Sequence, residues 1–138
     1  MDRDQGTGAK RNGRAITVMP RERADRIQLL GLESSTRSLA VAARLVERSS
    51  KVRILGAMAL SMAHTAAGAL DAFCAPVPMR VFDMTAGLLL LSECGGVATD
   101  VQGRPLQSLE CTLQTRTTLI CAPDRPSHAL ALSAFAGD

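Results

Sequence analysis

A layered α/β domain is the fold class that the sequence predicts, and three observations indicate it. The 138 residues suffice for one domain with a hydrophobic core and are few for two. Apolar residues make up 46% and charged residues 21%, a balance typical of a globular chain rather than a disordered one. Short β-like runs alternate with helical stretches, as in domains whose strands and helices form separate layers.

The first half of the chain predicts three strands and two helices. The strands follow from β-branched and leucine-rich runs, and the helices from apolar residues at helical spacing. Gly56 precedes the second helix, and Gly68 ends it because glycine tolerates the left-handed cap conformation. The strands are residues 14–19, 27–32 and 52–55, and the helices are residues 38–48 and 57–67.

The second half predicts three strands and two further helices. After a first strand, Pro76 and Pro78 predict an extended, irregular connector, since proline fixes φ and donates no backbone hydrogen bond. Asp83 stands at the start of the next helix, and Asp124 and Gly137 flank the last one. The strands are residues 70–75, 97–101 and 117–122, and the helices are residues 83–94 and 126–135.

Positive charge is concentrated in the first part of the chain. Residues 1–53 carry 12 Lys or Arg and 6 Asp or Glu, whereas residues 54–138 carry 4 and 7. These cations are dispersed, which favours a solvated basic face, although a basic surface also suits a phosphorylated ligand. With 2% aromatic residues, the chain lacks the platforms on which nucleic-acid modules stack bases. We therefore expect no nucleic-acid partner.

The cysteine pattern and the N-terminus indicate a cytoplasmic protein without a membrane segment. No C-x-x-C pair occurs and only two histidines are present, which argues against a structural zinc site. The polar N-terminus does not resemble a secretory signal. The uncharged stretch 54–70 is too short and too polar to span a bilayer, so we expect a buried helix there. Cys74, Cys94 and Cys121 are expected to be buried and inert.

Three segments carry motifs whose order and spacing are informative. The first, residues 6–13, reads G-T-G-A-K-R-N-G. The second starts with L-G-A-M-A-L at residue 55 and ends with A-A-G-A-L-D-A-F at residue 73. The third starts with R-V-F-D-M-T-A-G at residue 80 and continues through E-C-G-G to Thr99-Asp100. Together they resemble the inositol monophosphatase-like family of metal-dependent phosphatases, which also includes fructose-bisphosphatases.

The resemblance covers residues 6 to about 104 and corresponds to the C-terminal half of the family. It implies a mixed sheet flanked by helices, similar to the C-terminal half of the sugar phosphatase fold. It further implies a single domain over residues 1–138, in which residues 6–20 are a hairpin remnant of the N-terminal half and residues 27–136 form the C-terminal α/β domain. The family's upstream acidic motifs, a glutamate pair and a D-P-x-D-G-T loop, do not occur in these 138 residues.

The function that the resemblance implies is Mg²⁺-dependent hydrolysis of sugar or polyol phosphate monoesters, with no activity from this chain alone. Asp83 would be a metal ligand of an incomplete Mg²⁺ site. The turn of Gly56, Ala57 and Met58 would contact the substrate, and the guanidinium of Arg80 suits a second phosphate. No residue is assigned a catalytic role. From the residues alone, Asp83 also fits a helix N-cap, the Gly56 turn a plain helix start with close packing at Gly56, and Arg80 a surface arginine.

Two functional hypotheses remain open. The first is a phosphatase half acting on a phosphorylated sugar or polyol, and the second is a non-catalytic α/β module that binds a phosphometabolite or assembles with itself. Uncovered apolar faces favour a homo-oligomer, or a partner chain that supplies the N-terminal half. Ala57, Ala75 and Phe82 depart from the family's pattern, so the substrate itself stays open.

Overall fold

A mixed β-sheet organises the computed structural model, which describes residues 8–18, 25–106 and 109–138. Five strands form this sheet within the described residues, and a separate hairpin precedes them. The hairpin consists of β1 (Lys10–Arg11) and β2 (Arg14–Ala15); the sheet consists of β3 (Ile27–Leu32), β4 (Ser49–Arg53), β5 (Ala72–Arg80), β6 (Val97–Thr99) and β7 (Arg116–Ala122). The strand order is β4-β3-β5-β7-β6. β3 pairs in parallel with both β4 and β5, and β7 pairs antiparallel with β5 and β6.

Helices cover both faces of the sheet. They are α1 (Thr36–Val41), α2 (Ala43–Glu47), α3 (Met58–Ala66), α4 (Thr85–Glu93) and α5 (Arg125–Ala136), and a 3₁₀ turn at Val81–Met84 joins β5 to α4. α2 and α5 pack on one face, with α1 leading into α2, and α3 and α4 pack on the other. The expected α/β layering with a mixed sheet is therefore confirmed.

The core is divided in two by the sheet, because successive side chains of a strand point to opposite faces. Cys74 of β5 and Ile120 of β7 belong to the cluster beneath α2 and α5. Their neighbours Phe73 and Leu119 belong to the cluster beneath α3 and α4. All four side chains are at most 1% exposed. β5 and β7 therefore pack against both helical layers and connect them through the sheet.

The motif residues Gly87 and Gly68 have structural reasons for being glycine. A Cβ on Gly87 would lie 2.6–2.7 Å from atoms of Met62, so α4 approaches α3 closely at this point. Gly68 follows α3 with φ +85°, the left-handed conformation expected for a residue that ends a helix. The amide of Ala69 then donates to the carbonyl of His64 at 2.9 Å.

Several sequence expectations match the structure closely. The strand predicted at 27–32 is β3, the strand predicted at 117–122 is β7 with one added residue, and the uncharged stretch 54–70 contains the partly buried helix α3. Asp124 caps α5 by accepting the amide N–H of Ser127 at 2.8 Å, and Gly137 ends it with φ +90°. None of the helices in the described ranges is long and apolar enough to cross a membrane.

The expected irregular connector at Pro76 and Pro78 is wrong, because β5 runs straight through both prolines. β3 pairs with β5 only as far as Cys74, so the prolines follow the point where that neighbour ends. On the other side the register with β7 shifts between Ala75 and Met79. Proline is tolerated in a strand at such an unpaired edge or bulge, where no amide hydrogen is required.

Other boundaries also differ from the expectations. The helix expected at 38–48 starts earlier and breaks at Ala42, a residue with φ −97° and 1% exposure that packs into the core. Only Arg14–Ala15 of the strand expected at 14–19 is a strand, because its partner β1 has two residues; Met19 lies outside the described residues. The strands expected at 52–55, 70–75 and 97–101 are Ser49–Arg53, Ala72–Arg80 and Val97–Thr99, and the helix expected at 83–94 begins as the 3₁₀ turn.

Two of the three cysteines expected to be buried and inert have that environment. Burial raises the pKa of the Cys74 thiol, and burial also raises the pKa of the Cys121 thiol, so both stay protonated. Cys94 is half-buried rather than buried, but burial and the nearby Glu93 carboxylate also raise the pKa of its thiol, so only the burial part of that expectation is wrong.

The contact at Gly87 predicts the effect of Gly87→Ala on stability. The added Cβ gains about 1 kcal/mol of helix propensity. It also meets Met62, and overpacking typically costs about 1–3 kcal/mol. We therefore expect a net loss of about 1 kcal/mol in the free energy of unfolding, measured by urea denaturation. Ser92→Ala, on an exposed position of the same helix, serves as the control; a Gly87→Ala chain at least as stable as the parent would contradict the close packing.

Candidate functional site

A cleft of about 390 Å³ opens at the carboxyl edge of the three parallel strands. β3, β4 and β5 run in the same direction, so the segments that follow them meet at one edge of the sheet. Glu33 follows β3, Gly56 lies in the turn after β4, and Asp83 lies in the 3₁₀ turn after β5. The residues lining the cleft are Leu32, Glu33, Ser34, Gly56, Ala57, Met58, Ala59, Ser61, Phe73, Met79 and Asp83.

The structure brings four of the five candidate site residues to this cleft. Gly56, Ala57, Met58 and Asp83 line it, although 24 residues of sequence separate the turn from Asp83. Arg80 is not among the lining residues but contacts Asp83. The segments that the motifs single out are therefore joined in space by the parallel order of the strands.

The side chain of Asp83 forms an ion pair with Arg80 and does not cap α4. Its Oδ2 accepts a hydrogen bond from Nε of Arg80 at 3.0 Å, and the side chains are 38% and 50% exposed. The residue before α4 is Met84, and no side-chain cap is found there, so the alternative in which Asp83 is the N-cap is wrong. An exposed ion pair of this kind contributes about 0–1 kcal/mol, so a ligand can displace Arg80 at small cost.

The turn at Gly56 presents the start of α3 to the cleft. Gly56 has φ +83°, and a Cβ on it would meet nothing within 4 Å. The need for glycine here therefore comes from backbone conformation and not from space, which corrects the alternative of close packing. Ala57 is the N-cap residue and offers no side-chain cap. The first amides of α3 have no partner within the helix and suit an anionic ligand group.

Glu33 is the cleft residue that the sequence interpretation missed. Its Oε2 accepts hydrogen bonds from the amide of Ser35 at 3.0 Å and from the hydroxyl of Ser38 at 2.7 Å. Burial alone would raise the pKa of this carboxyl, but the hydrogen bonds from Ser35 and Ser38 outweigh it, and the pKa lies below its usual value. The available signal was an acid directly after a buried strand and three residues before the first residue of a helix.

The described residues do not form a complete metal centre. In the ranges that the structure covers, no group of three or more His, Cys, Asp or Glu side chains is placed to hold a metal ion. The cleft has two carboxylates, of which Asp83 is engaged by Arg80 and Glu33 by two serines. Mg²⁺ takes six ligands in near-octahedral geometry, so these two carboxylates would supply at most part of its coordination, and the remaining ligands would be waters, phosphate oxygens or groups beyond the described residues.

Comparison with known proteins places the fold and the cleft in a family. The model of the "Inositol monophosphatase family" matches residues 3–136. The chain belongs to the inositol monophosphatase family. The motif segments that meet at the cleft lie within the matched residues.

Relatives within the family are enzymes about twice as long as this chain. The chain is 33% identical over 127 residues to a fructose-1,6-bisphosphatase/inositol-1-monophosphatase of Methanothermobacter thermautotrophicus, a match that covers 90% of this chain and 44% of the relative. It is 42% identical over 72 residues to the inositol-1-monophosphatase of Bacillus subtilis, covering 51% and 26%. The chain thus spans less than half the length of these relatives.

Two solved structures also match this chain over about half of their length. The inositol monophosphatase of Thermotoga maritima has a TM-score of 0.75 and 26% identity, with 96% of this chain and 49% of that chain covered. The inositol monophosphatase of Anabaena shares the fold with a TM-score of 0.76 and 24% identity, covering 96% and 52%. The layered α/β fold of the described residues therefore matches about half of a phosphatase of this family.

The hydrogen bonds to Glu33 predict a pH dependence of stability. Its folded-state pKa is lowered, so the carboxylate stabilises the fold above its ordinary pKa of 4.5, and this contribution is lost as the pH falls through the lowered value. Glu33→Gln should flatten the decline of unfolding free energy in that acidic range. At neutral pH the two chains should differ by less than about 1 kcal/mol, because the carboxylate is partly screened by solvent.

The measurement is urea unfolding of both chains at about pH 7 and about pH 3.5. Glu47→Gln, an exposed acid on α2, is the matched control and should keep the parent's pH profile. If Glu33→Gln and the parent lost stability in parallel over this range, the hydrogen bonds from Ser35 and Ser38 would have no energetic weight.

Proposed function

We propose that this chain forms the substrate-side wall of a Mg²⁺-dependent phosphatase that hydrolyses sugar or polyol phosphate monoesters, and that it is inactive alone. The observation that carries the proposal is the cleft, where the Gly56 turn and Asp83 meet at the carboxyl edge of the sheet in a chain of this family. The proposed ligand is the phosphorylated sugar or polyol, in a cytoplasmic protein that contacts neither nucleic acid nor membrane.

Each cleft element has a distinct proposed role. The free amides at the start of α3, presented by Gly56, Ala57 and Met58, hold the phosphate oxygens. Asp83 supplies one carboxylate to a Mg²⁺ site whose other ligands come from residues outside this chain. Arg80 exchanges its partner Asp83 for a second phosphate of the substrate, which its planar guanidinium can bind in bidentate fashion.

The names of relatives support a sugar or polyol substrate. Relatives are described as fructose-1,6-bisphosphatase/inositol-1-monophosphatase, so phosphates on both a sugar and a cyclic polyol occur in the family. The exposed side chain of Arg80 beside the cleft fits a substrate with two phosphates. The missing acid at Ala75 and the alanine at position 57 remove hydroxyl-binding groups that the resemblance would supply.

Phosphate release tests the proposal in two forms of the protein. The purified chain should release phosphate from inositol, fructose and nucleotide monophosphates at well below about 1 per second with Mg²⁺ present, because it supplies too few ligands. Its affinity for Mg²⁺ should be on the order of millimolar or weaker. A chimera that joins the unmatched N-terminal half of the Methanothermobacter thermautotrophicus relative to this chain should be active.

Asp83→Asn in the chimera should abolish turnover, and Glu47→Gln should leave it unchanged. A folded chimera without activity on any sugar or polyol phosphate would contradict the phosphatase proposal. Turnover by the 138-residue chain itself at or above about 1 per second would contradict the proposal of inactivity.

A non-catalytic module is the second candidate, favoured by the lack of a complete metal centre among the described residues. In that case the cleft binds a phosphometabolite without hydrolysing it. The chimera separates the two candidates, because a module that has lost catalytic geometry binds the ligand but stays inactive when the acidic motifs are supplied.

The outer face of α3 and α4 supports a homo-oligomer or a partner chain. α3 contains no Asp, Glu, Lys or Arg, and α4 contains one, Glu93, at its last residue. Leu60, Phe82 and Leu89 are nevertheless 47%, 55% and 57% exposed on this layer. An apolar, uncharged surface of this kind is typical of an interface with another protein layer.

Self-association is therefore expected for the purified chain, as a dimer or larger assembly. Light scattering at micromolar concentration should report at least twice the monomer mass, and Leu89→Lys should shift the distribution towards monomer by placing a charge in the interface. Leu39→Lys, at an exposed position of α1, is the control. A monomeric parent chain would contradict the expectation.

A further inference from the structure

β3 is the strand at which the direction of the chain connections reverses. From β3 the chain passes through α1 and α2 to β4 on one side, then returns through α3 to β5 on the other side of β3. In open α/β sheets, ligands bind outside the carboxyl ends of strands at such a reversal. Glu33 is the first residue after β3 and lines the cleft there.

Glu33 is held in a fixed orientation at the cleft by hydrogen bonds from the segment that follows it. Its amide donates to the carbonyl of Cys74 at 3.0 Å, which continues the pairing of β3 with β5 beyond the strand end. Ser38, which is fully buried, donates its hydroxyl to Oε2, and the amide of Ser35 donates to the same oxygen. The amide of Ser34 and the hydroxyl of Ser35 also act on this carboxylate, so the segment that follows β3 fixes its orientation at the cleft.

The charge of the cleft decides what Glu33 can bind. Among the described residues, its lining includes the carboxylates of Glu33 and Asp83, and no Lys, Arg or His. An ionised carboxylate accepts hydrogen bonds from hydroxyl groups and repels phosphate oxygens. A ligand with hydroxyls at one part and phosphate at another would therefore place its hydroxyls at Glu33 and its phosphate elsewhere.

We propose that Glu33 is a specificity-determining residue whose cleft-facing carboxylate accepts hydrogen bonds from hydroxyl groups of the sugar or polyol part of the ligand. The assignment rests on the proposed function for the identity of the ligand, and it adds a recognition group at a position that no motif singled out. Ser38 is a positioning residue, since it acts by fixing the carboxylate and lies out of reach of solvent.

Amide NMR titrations of the metal-free chain test this with two simple probes. Myo-inositol, without phosphate, should shift the amides of Ser34 and Gly56 with a dissociation constant on the order of millimolar. Glu33→Gln should weaken this binding about five- to tenfold, the difference between a charged and a neutral hydrogen bond. Inorganic phosphate should bind more tightly to Glu33→Gln, because a repelling charge is removed.

Glu33→Gln is expected to weaken the binding of myo-inositol and to strengthen the binding of phosphate. A loss of structure would weaken both, so the two outcomes distinguish ligand recognition from misfolding. Glu47→Gln should behave as the parent with both probes, and urea unfolding should show that Glu33→Gln is folded. Equal affinity of parent and Glu33→Gln for myo-inositol, a parallel weakening of both probes, or no shift with myo-inositol up to about 100 mM would overturn the proposal, the last because affinity that weak lies outside the expected range. Competition by ethylammonium as strong as by myo-inositol would also overturn it, since the site would then select cations.

The two proposals fail in distinguishable ways. The binding test uses neither phosphate ester nor metal, so a negative titration leaves the activity of the chimera unaffected. An inactive chimera with intact, Glu33-dependent binding of myo-inositol would instead remove the phosphatase proposal and keep the polyol site.

Discussion

The parallel pairing of β3 with both of its neighbours is the constraint on which the rest of the structure depends. It brings the ends of β3, β4 and β5 to one edge, and so creates the cleft from segments far apart in sequence. The side chain of Asp71 reinforces this arrangement, because its Oδ2 accepts the amides of Gln28 and Leu29 at 2.8 and 3.1 Å at the start of β3. The L-D-A-F motif therefore helps to fix the register of β3 against β5. That register sets the positions of the segments that form the cleft.

The two helical layers have different environments, which their sequences already show. α2 and α5 carry charged residues such as Arg44 and Arg125 on their outer surfaces, as expected for helices that face water. α3 and α4 carry almost none, and apolar side chains remain exposed on them. A protein layer packed on that side would bury these side chains and close one flank of the cleft, since the start of α3 belongs to both surfaces. The proposed assembly and the proposed ligand binding would therefore both involve α3.

Local sequence patterns predicted the elements that depend on propensity and capping within a short segment. They failed where the structure depends on which strands pair. β3, the left-handed end of α3 at Gly68 and the cap of α5 by Asp124 follow from propensity and capping chemistry. The extension of β5 through Pro76 does not, because it requires knowing that the pairing of β5 with β3 ends at Cys74. Motif resemblance located the Gly56 turn and Asp83, whereas Glu33 belongs to the cleft only through the order of the strands, which periodicity does not reveal.

Charge balance gives the last constraint on how such a cleft works. Phosphate binding beside two carboxylates would be unfavourable unless positive charge compensated, and the described residues that line the cleft include no cationic side chain. The amides at the start of α3 supply only partial charge, and Arg80 is paired with Asp83. For the proposed phosphorylated ligand, compensating charge would therefore come from beyond these lining residues, for example from a bound cation or from Arg80. Release of Arg80 to the ligand would leave the exposed Asp83 carboxylate without its present partner, so phosphate binding by this route would be coupled to a change of partner at Asp83.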